Sequence, residues 1–108
     1  MVLAESSAAG RSVGLPDYAL ENLKRIFKNH AAVQGVVLYG SRAKGNFRAN
    51  SDIDLMLIAP EISWQEFNQI EAEIDDLLMP WKVDLALKHQ VENKALLDHV
   101  KRVGIRLL

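Results

Sequence analysis

The apolar residues of this chain recur at helical spacing, then alternate, then return to helical spacing, and each change of period marks an element. Leu20, Leu23, Ile26 and Phe27, with His30 at the end, make a helical stripe. It opens behind Pro16, a residue tolerated in a first helical turn because its missing N–H would have no partner there. Gly35 punctuates, and Val36-Val37-Leu38-Tyr39 is a short β run ended by Gly40. Residues 40–51, GSRAKGNFRANS, read as a turn, a short helix and a loop. Asp52 to Ile58 reads as a second strand, stopped by Pro60. Ser63 and Glu66 have capping-box spacing, and Ile62 with Phe67 suits a hydrophobic staple. Behind them Trp64, Phe67, Ile70, Ile74, Leu77 and Leu78 form a stripe that Pro80 ends. Trp81 to Leu87 alternates as a third strand, and Val91, Ala95, Leu96, Val100, Val103 and Leu107 predict a last helix over 91–107.

The order helix, strand, strand, helix, strand, helix predicts an α+β fold. Its sheet is small, mixed or largely antiparallel, with helices packed mainly on one face. The link from Tyr39 to Asp52 is short for a crossover, which argues against a wound parallel sheet. With 108 residues the chain makes one domain. Residues 1–14 are small, polar and rich in Gly, Ser and Ala, and are expected to be a flexible tail before a domain over 15–108. They lack the cationic start and apolar core of a signal peptide. No apolar stretch approaches the roughly 20 residues that span a membrane.

Charge and chemistry narrow the function classes. Thirteen Lys+Arg against fourteen Asp+Glu leave a net charge of −1, so direct nucleic-acid binding is not expected. The absence of cysteine removes disulfides, thiolate zinc sites, iron–sulfur clusters and a cysteine nucleophile. A cytoplasmic protein is the expectation. The three histidines lack ligand spacing and read as surface or boundary residues. Trp64 and Trp81 read as core or interface anchors, and Tyr39 as a strand-packing residue.

The unusual feature is charge inside apolar strands. Asp52 and Asp54 are two apart on a strand, so both side chains point to one face. Like charges about 6.5 Å apart along a strand raise each other's pKa unless a cation sits between them. Mg²⁺ takes oxygen ligands and commonly shares its shell with substrate phosphates. Asp84 repeats the pattern between Val83 and Leu85. On a neighbouring strand it would complete a three-carboxylate cluster able to hold two metals. Taken singly, an Asp at a strand start caps a turn or faces solvent.

Gly40-Ser41 follows the first strand directly. Glycine lets a phosphate approach the backbone, Ser41 offers a hydroxyl, and Arg42, Lys44 and Arg48 bring three cations within seven residues. The segment matches neither G-x-x-x-x-G-K-[ST] nor G-x-G-x-x-G. What distinguishes it is the coupling of Gly40-Ser41, ten residues, then Asp52-Ile53-Asp54.

GSRAKGNFRANSDIDL, with the later VDLAL, resembles the G-S-x10-D-x-D signature of the DNA polymerase β-type nucleotidyltransferase superfamily. The size resembles its minimal nucleotidyltransferases (MNT). The resemblance implies a polymerase β palm-like fold and transfer of a nucleoside monophosphate, AMP from ATP, to a hydroxyl with release of pyrophosphate. It implies that Asp52, Asp54 and Asp84 bind two Mg²⁺ ions and are catalytic. Gly40, Ser41 and Arg42 would be the nucleotide-binding residues. It further implies an antitoxin whose partner and acceptor is a HEPN-domain protein encoded nearby; a homo-oligomer and a hetero-oligomer are both compatible with the sequence. Two other readings are compatible with the residues. One is a non-catalytic module that neutralises the partner by occlusion. The other is nucleotidyl transfer to a small molecule such as an antibiotic.

Overall fold

The computed structural model describes residues 13–108. Helix α1 (Asp17–Lys28) is followed by β1 (Gly35–Tyr39), the one-turn helix α2 (Ser41–Lys44), β2 (Ile53–Ile58) and α3 (Trp64–Asp75). After them come β3 (Val83–Leu87), a 3₁₀ turn (Lys88–Gln90), α4 (Lys94–Val103) and the short β4 (Ile105–Arg106). The fold is mixed α+β, with one four-stranded sheet in the order β3-β2-β1-β4. β1 runs antiparallel to β2 and β4, and β2 and β3 run parallel.

Period-two alternation divides the sheet into two faces of different character. Val36 and Leu38 of β1 lie opposite Leu57 and Leu55 of β2, which pair with Leu87 and Leu85 of β3. This face meets α1 through Leu20, Leu23, Ile26 and Phe27 and α3 through Phe67, Ile70 and Ile74, and together they form the core. The opposite face carries Val37, Tyr39, Asp54, Met56, Asp84 and Ala86. Among the described residues α4 is the helix that lies against it, and none of the residues of α4 is fully buried. One face of the sheet is therefore spent on stability and the other is left for chemistry.

The C-terminal segment departs from the sequence reading of one helix over 91–107. Asn93 starts α4 late, its Oδ1 accepting the Leu96 N–H at 3.1 Å. Gly104 ends it, at a place where a Cβ would meet Val37 Cγ1 at 2.6 Å and overlap the Val100 carbonyl. Ile105 then pairs with Leu38 and joins the core face. Val103, Ile105 and Leu107 also satisfy a period of two, so the apolar spacing fits both a helix and a strand here, and pairing with β1 decides.

The capping box forms by half. Ser63 Oγ accepts the Glu66 N–H at 3.1 Å, but the Glu66 carboxylate takes a different partner. It bonds His30 Nδ1 at 2.8 Å, while Glu73 bonds His30 Nε2 at 3.0 Å. The expectation of a surface or boundary position for His30 is thus corrected: it is buried between the end of α1 and the face of α3. Burial alone would lower its pKa; the Glu73 and Glu66 carboxylates outweigh burial and raise it.

Val13, assigned to the tail from sequence, is fully buried and Leu15 nearly so. Residues 1–12 of the expected tail lie outside the described residues. Val13 is held by Arg42, whose guanidinium is 0% exposed. Its Nη1 donates to the Val13 carbonyl at 2.7 Å and to Gly14 at 3.3 Å. Nη2 donates to Ala49 at 3.2 Å and, with Nε, to Ser51 at 3.0 and 3.1 Å. The rings of Phe47 and Trp81 lie 5.3 and 5.9 Å from the guanidinium carbon. A planar fork of five N–H donors is required to gather four carbonyls this way.

Two stability predictions follow from these buried cations. A His with a raised folded pKa contributes stability that is fully present below its unfolded value of 6.5 and is lost as pH rises through the folded value. The drop in Tm caused by His30→Ala should therefore be larger at about pH 5.5 than at about pH 9. Arg42→Lys keeps the charge but cannot reach four carbonyls, and urea unfolding should show a loss of about 2–4 kcal/mol.

Candidate functional site

The turn after β1 is dictated by glycine. Gly40 has φ 76° and ψ −156°, a backbone region that side chains exclude. A Cβ on Gly40 would also overlap Asp54 Oδ2, so the Asp54 carboxylate packs directly on the bare Cα. Tyr39 and Asp54 are register partners on β1 and β2, and Asp54 and Asp84 are register partners on β2 and β3. A row of Tyr39, Asp54 and Asp84 thus runs across three strands on the open face, at the end where Gly40-Ser41 turns away.

The charges of this row act on one another. The pKa of Asp54 is raised by partial burial, by the charge of Asp84, by that of Asp52 and by a hydrogen bond shared with Asp84. His99 opposes these effects. Tyr39 is raised by burial and then by the Asp54 and Asp84 charges, so its hydroxyl keeps its proton at neutral pH. Lys82 Nζ lies 3.6 Å from Asp84 Oδ1, an exposed pair that screens little of the charge.

The structure brings Asp54 and Asp84 together and leaves Asp52 apart. Asp52 is exposed at the mouth of β2 and acts on Asp54 through its charge. Among the described residues no three acidic or histidine side chains converge into a set that could hold a metal by themselves. The Asp54–Asp84 pair nevertheless fits a divalent cation. It offers carboxylate oxygens from adjacent strands, and both the burial and the Asp84 charge that raise Asp54 disfavour a bare carboxylate that a cation would stabilise. Mg²⁺ characteristically takes one or two protein carboxylates and fills its shell with water and phosphate oxygens.

On the phosphate side, Ser41 opens α2 and is partly exposed, and Lys44 and Arg48 are exposed. Arg42 is not with them. Its donors face inward to the Val13, Gly14, Ala49 and Ser51 carbonyls, and no part of it is open to a ligand in this conformation. It orders the loop that joins Ser41 to Asp52 instead of lining the face of that loop.

One residue of the site escaped the sequence reading. His99, on α4, accepts the Gly40 N–H on Nε2 at 3.0 Å, and its ring stands edge-on to Tyr39 at 6.2 Å between centroids. A histidine 59 positions downstream on a separate helix leaves no local signature. The helical face it shares with Ala95 and Leu96 was legible only as a packing stripe. Between α4 and the open face, further along the strands, lies a cleft of about 550 Å³ with Val37, Met56 and Ile58 as its floor.

Comparison with known proteins places this geometry in a family. Residues 21–108 match the sequence profile described as polymerase beta, nucleotidyltransferase. A candidate protein adenylyltransferase of Methanocaldococcus jannaschii is 33% identical over 76 residues, covering 68% of this chain and 76% of its own. A chain of a toxin–antitoxin crystal structure with AMP-PNP superposes with a TM-score of 0.64 at 24% identity, covering 87% of this chain and 73% of that one. A chain of a complex between a tri-AMPylated Shewanella oneidensis HEPN toxin and its MNT antitoxin gives 0.57 at 21% identity, covering 83% and 71%. The two solved structures share the fold. The family match over most of the chain and the archaeal relative carry the assignment: this protein belongs to the polymerase beta nucleotidyltransferase family.

Proposed function

We propose that this chain is a Mg²⁺-dependent nucleotidyltransferase that moves AMP from ATP to a hydroxyl of a HEPN-domain partner and so acts as an antitoxin. The observation that carries the reading is the Asp54–Asp84 register pair beside the bare Cα of Gly40, on the face of the sheet that the core does not use. The archaeal relative, a candidate protein adenylyltransferase, supports a protein acceptor. The toxin–antitoxin neighbours support a HEPN partner and ATP. A cytoplasmic location goes with these substrates, and among the described residues no helix is long and apolar enough to cross a membrane.

Asp54 and Asp84 would hold Mg²⁺, with Asp52 at the rim as a further carboxylate for a second ion. Bound there, the metal would neutralise phosphate charge and favour the deprotonated acceptor. The chain itself does the positioning. Gly40 lets the phosphates approach the backbone, Ser41 offers a hydroxyl to them, and Lys44 and Arg48 attract them from the exposed side of the loop. Arg42 contributes by holding that loop in shape. The acceptor oxygen forms a bond to the α-phosphorus as the bond from that phosphorus to the β-bridging oxygen breaks. Pyrophosphate takes the electron pair, and the hydroxyl proton passes to water or to a carboxylate of the pair.

The test is transfer of label from α-labelled ATP, with Mg²⁺, to a HEPN-domain protein, sought first in the reading frame next to that of this chain. Asp54→Asn should lower the rate by at least about 100-fold. If the Asn variant neutralises the toxin as well as the parent does and neither leaves label, occlusion replaces transfer. Label on an aminoglycoside or other small molecule in place of the protein would redirect the acceptor. The same variant has a second expected outcome. A carboxyl with a raised folded pKa contributes stability at low pH that is lost as pH rises through that value. Near pH 7, without divalent metal, Asp54→Asn should therefore melt a few degrees higher than the parent, and Mg²⁺ should narrow the gap.

A further inference from the structure

His99 is half-buried on a helix whose other residues leave the core unsealed, yet its imidazole makes a directed contact with the site. Its Nε2 accepts the backbone N–H of Gly40 at 3.0 Å, which requires the lone pair of that nitrogen to face the turn. The same ring stands edge-on to Tyr39, the residue before Gly40 and the register partner of Asp54. Gly40 is thereby gripped from two sides. The Asp54 carboxylate rests against its Cα, and His99 takes its N–H.

Glycine with a positive φ is the least restrained residue in an unfastened chain, and the turn it makes sets where Ser41 begins α2. Fastening its N–H to a side chain on α4 removes that freedom before any ligand arrives. Binding then does not have to order the turn. The contact has a second consequence: the Gly40 N–H is already donated, so the phosphate side of the site is left to Ser41 and the groups that follow it.

Taking the nucleotidyltransferase reading as given, we infer that His99 is a positioning residue that pre-orders the Gly40-Ser41 turn for the nucleotide triphosphate. It touches neither the carboxylate oxygens nor, by this reading, the nucleotide. Its loss should appear in nucleotide affinity and not in the rate at saturation. Glutamine at this position places an acceptor oxygen at about the reach of Nε2, whereas alanine offers none.

The experiment uses the whole chain, with calorimetric titration of AMP-PNP in Mg²⁺ and steady-state transfer to the HEPN partner. His99→Ala should raise the Kd and the KM for ATP roughly five- to tenfold, the equivalent of one hydrogen bond. Its kcat should stay within about twofold of the parent. His99→Gln should recover most of the affinity. A fall in Tm with Kd unchanged would make His99 a packing residue and overturn the inference. Tighter binding by His99→Ala would also overturn it, showing that the imidazole competes with phosphate for the Gly40 N–H. If the parent itself neither binds AMP-PNP nor transfers label, the nucleotidyltransferase reading fails, which is distinct from an unchanged Kd in the alanine variant.

Discussion

Two carboxylates held side by side on parallel neighbouring strands repel, and much of this small fold is organised around that conflict. Asp54 and Asp84 sit at the same register of β2 and β3, so their side chains rise from one face about one strand spacing apart. The repulsion is sustained because each strand is anchored on its other face. Ile53, Leu55 and Leu57 are fully buried against α1 and α3, and they fix the strand that presents Asp54. A one-residue slip would turn every one of those apolar side chains away from α1 and α3 to the opposite face, so the core holds the acidic pair in place. The free energy of core burial in this sense holds two acidic side chains together on one face of the sheet.

The turn at Gly40 extends the same constraint to the phosphate side. Because Asp54 packs on the glycine Cα, the acidic pair and the turn share one spatial register. Arg42 and His99 then brace the turn from opposite directions. Arg42 pulls the loop ends inward through the carbonyls of Ala49 and Ser51, and His99 ties the Gly40 N–H to α4. The two buried cationic groups among the described residues are satisfied in different ways. The permanent charge of Arg42 is met by neutral carbonyls and aromatic faces, and His30 is met by two carboxylates that raise its pKa. The first is indifferent to pH in any ordinary range, and the second couples stability to it.

Much of the site was legible from spacing because its parts lie on a short stretch of chain. Gly40-Ser41 and Asp52-x-Asp54 are separated by a fixed loop, and period-two alternation gives the face of each strand residue without any tertiary knowledge. Spacing grouped Arg42 with Lys44 and Arg48, because a cation in a loop of cations is indistinguishable from its neighbours until the carbonyls that gather its donors are known. His30 was placed at the surface or boundary because helical spacing says nothing of two glutamates 36 and 43 residues away. The C-terminal strand was hidden for another reason. Val103 and Leu107 are spaced for one helical face and, with Ile105 between them, also for one strand face, and the ladder with β1 chooses between the two.

The sequence by itself determined the order and type of most elements, the two-faced strands and the coupling of a glycine-serine turn to an acidic strand, since all of these depend on local spacing and backbone preference. The tertiary structure alone decided which carboxylate joins Asp54. Pairing of β3 with β2 at one register brings Asp84 beside it and leaves Asp52 at the rim, although Asp52 is the nearer in sequence. It also decided that Arg42 faces inward and His99 toward the site. Hydrogen-bond partners and burial are set by where distant segments meet, and no local period carries that information.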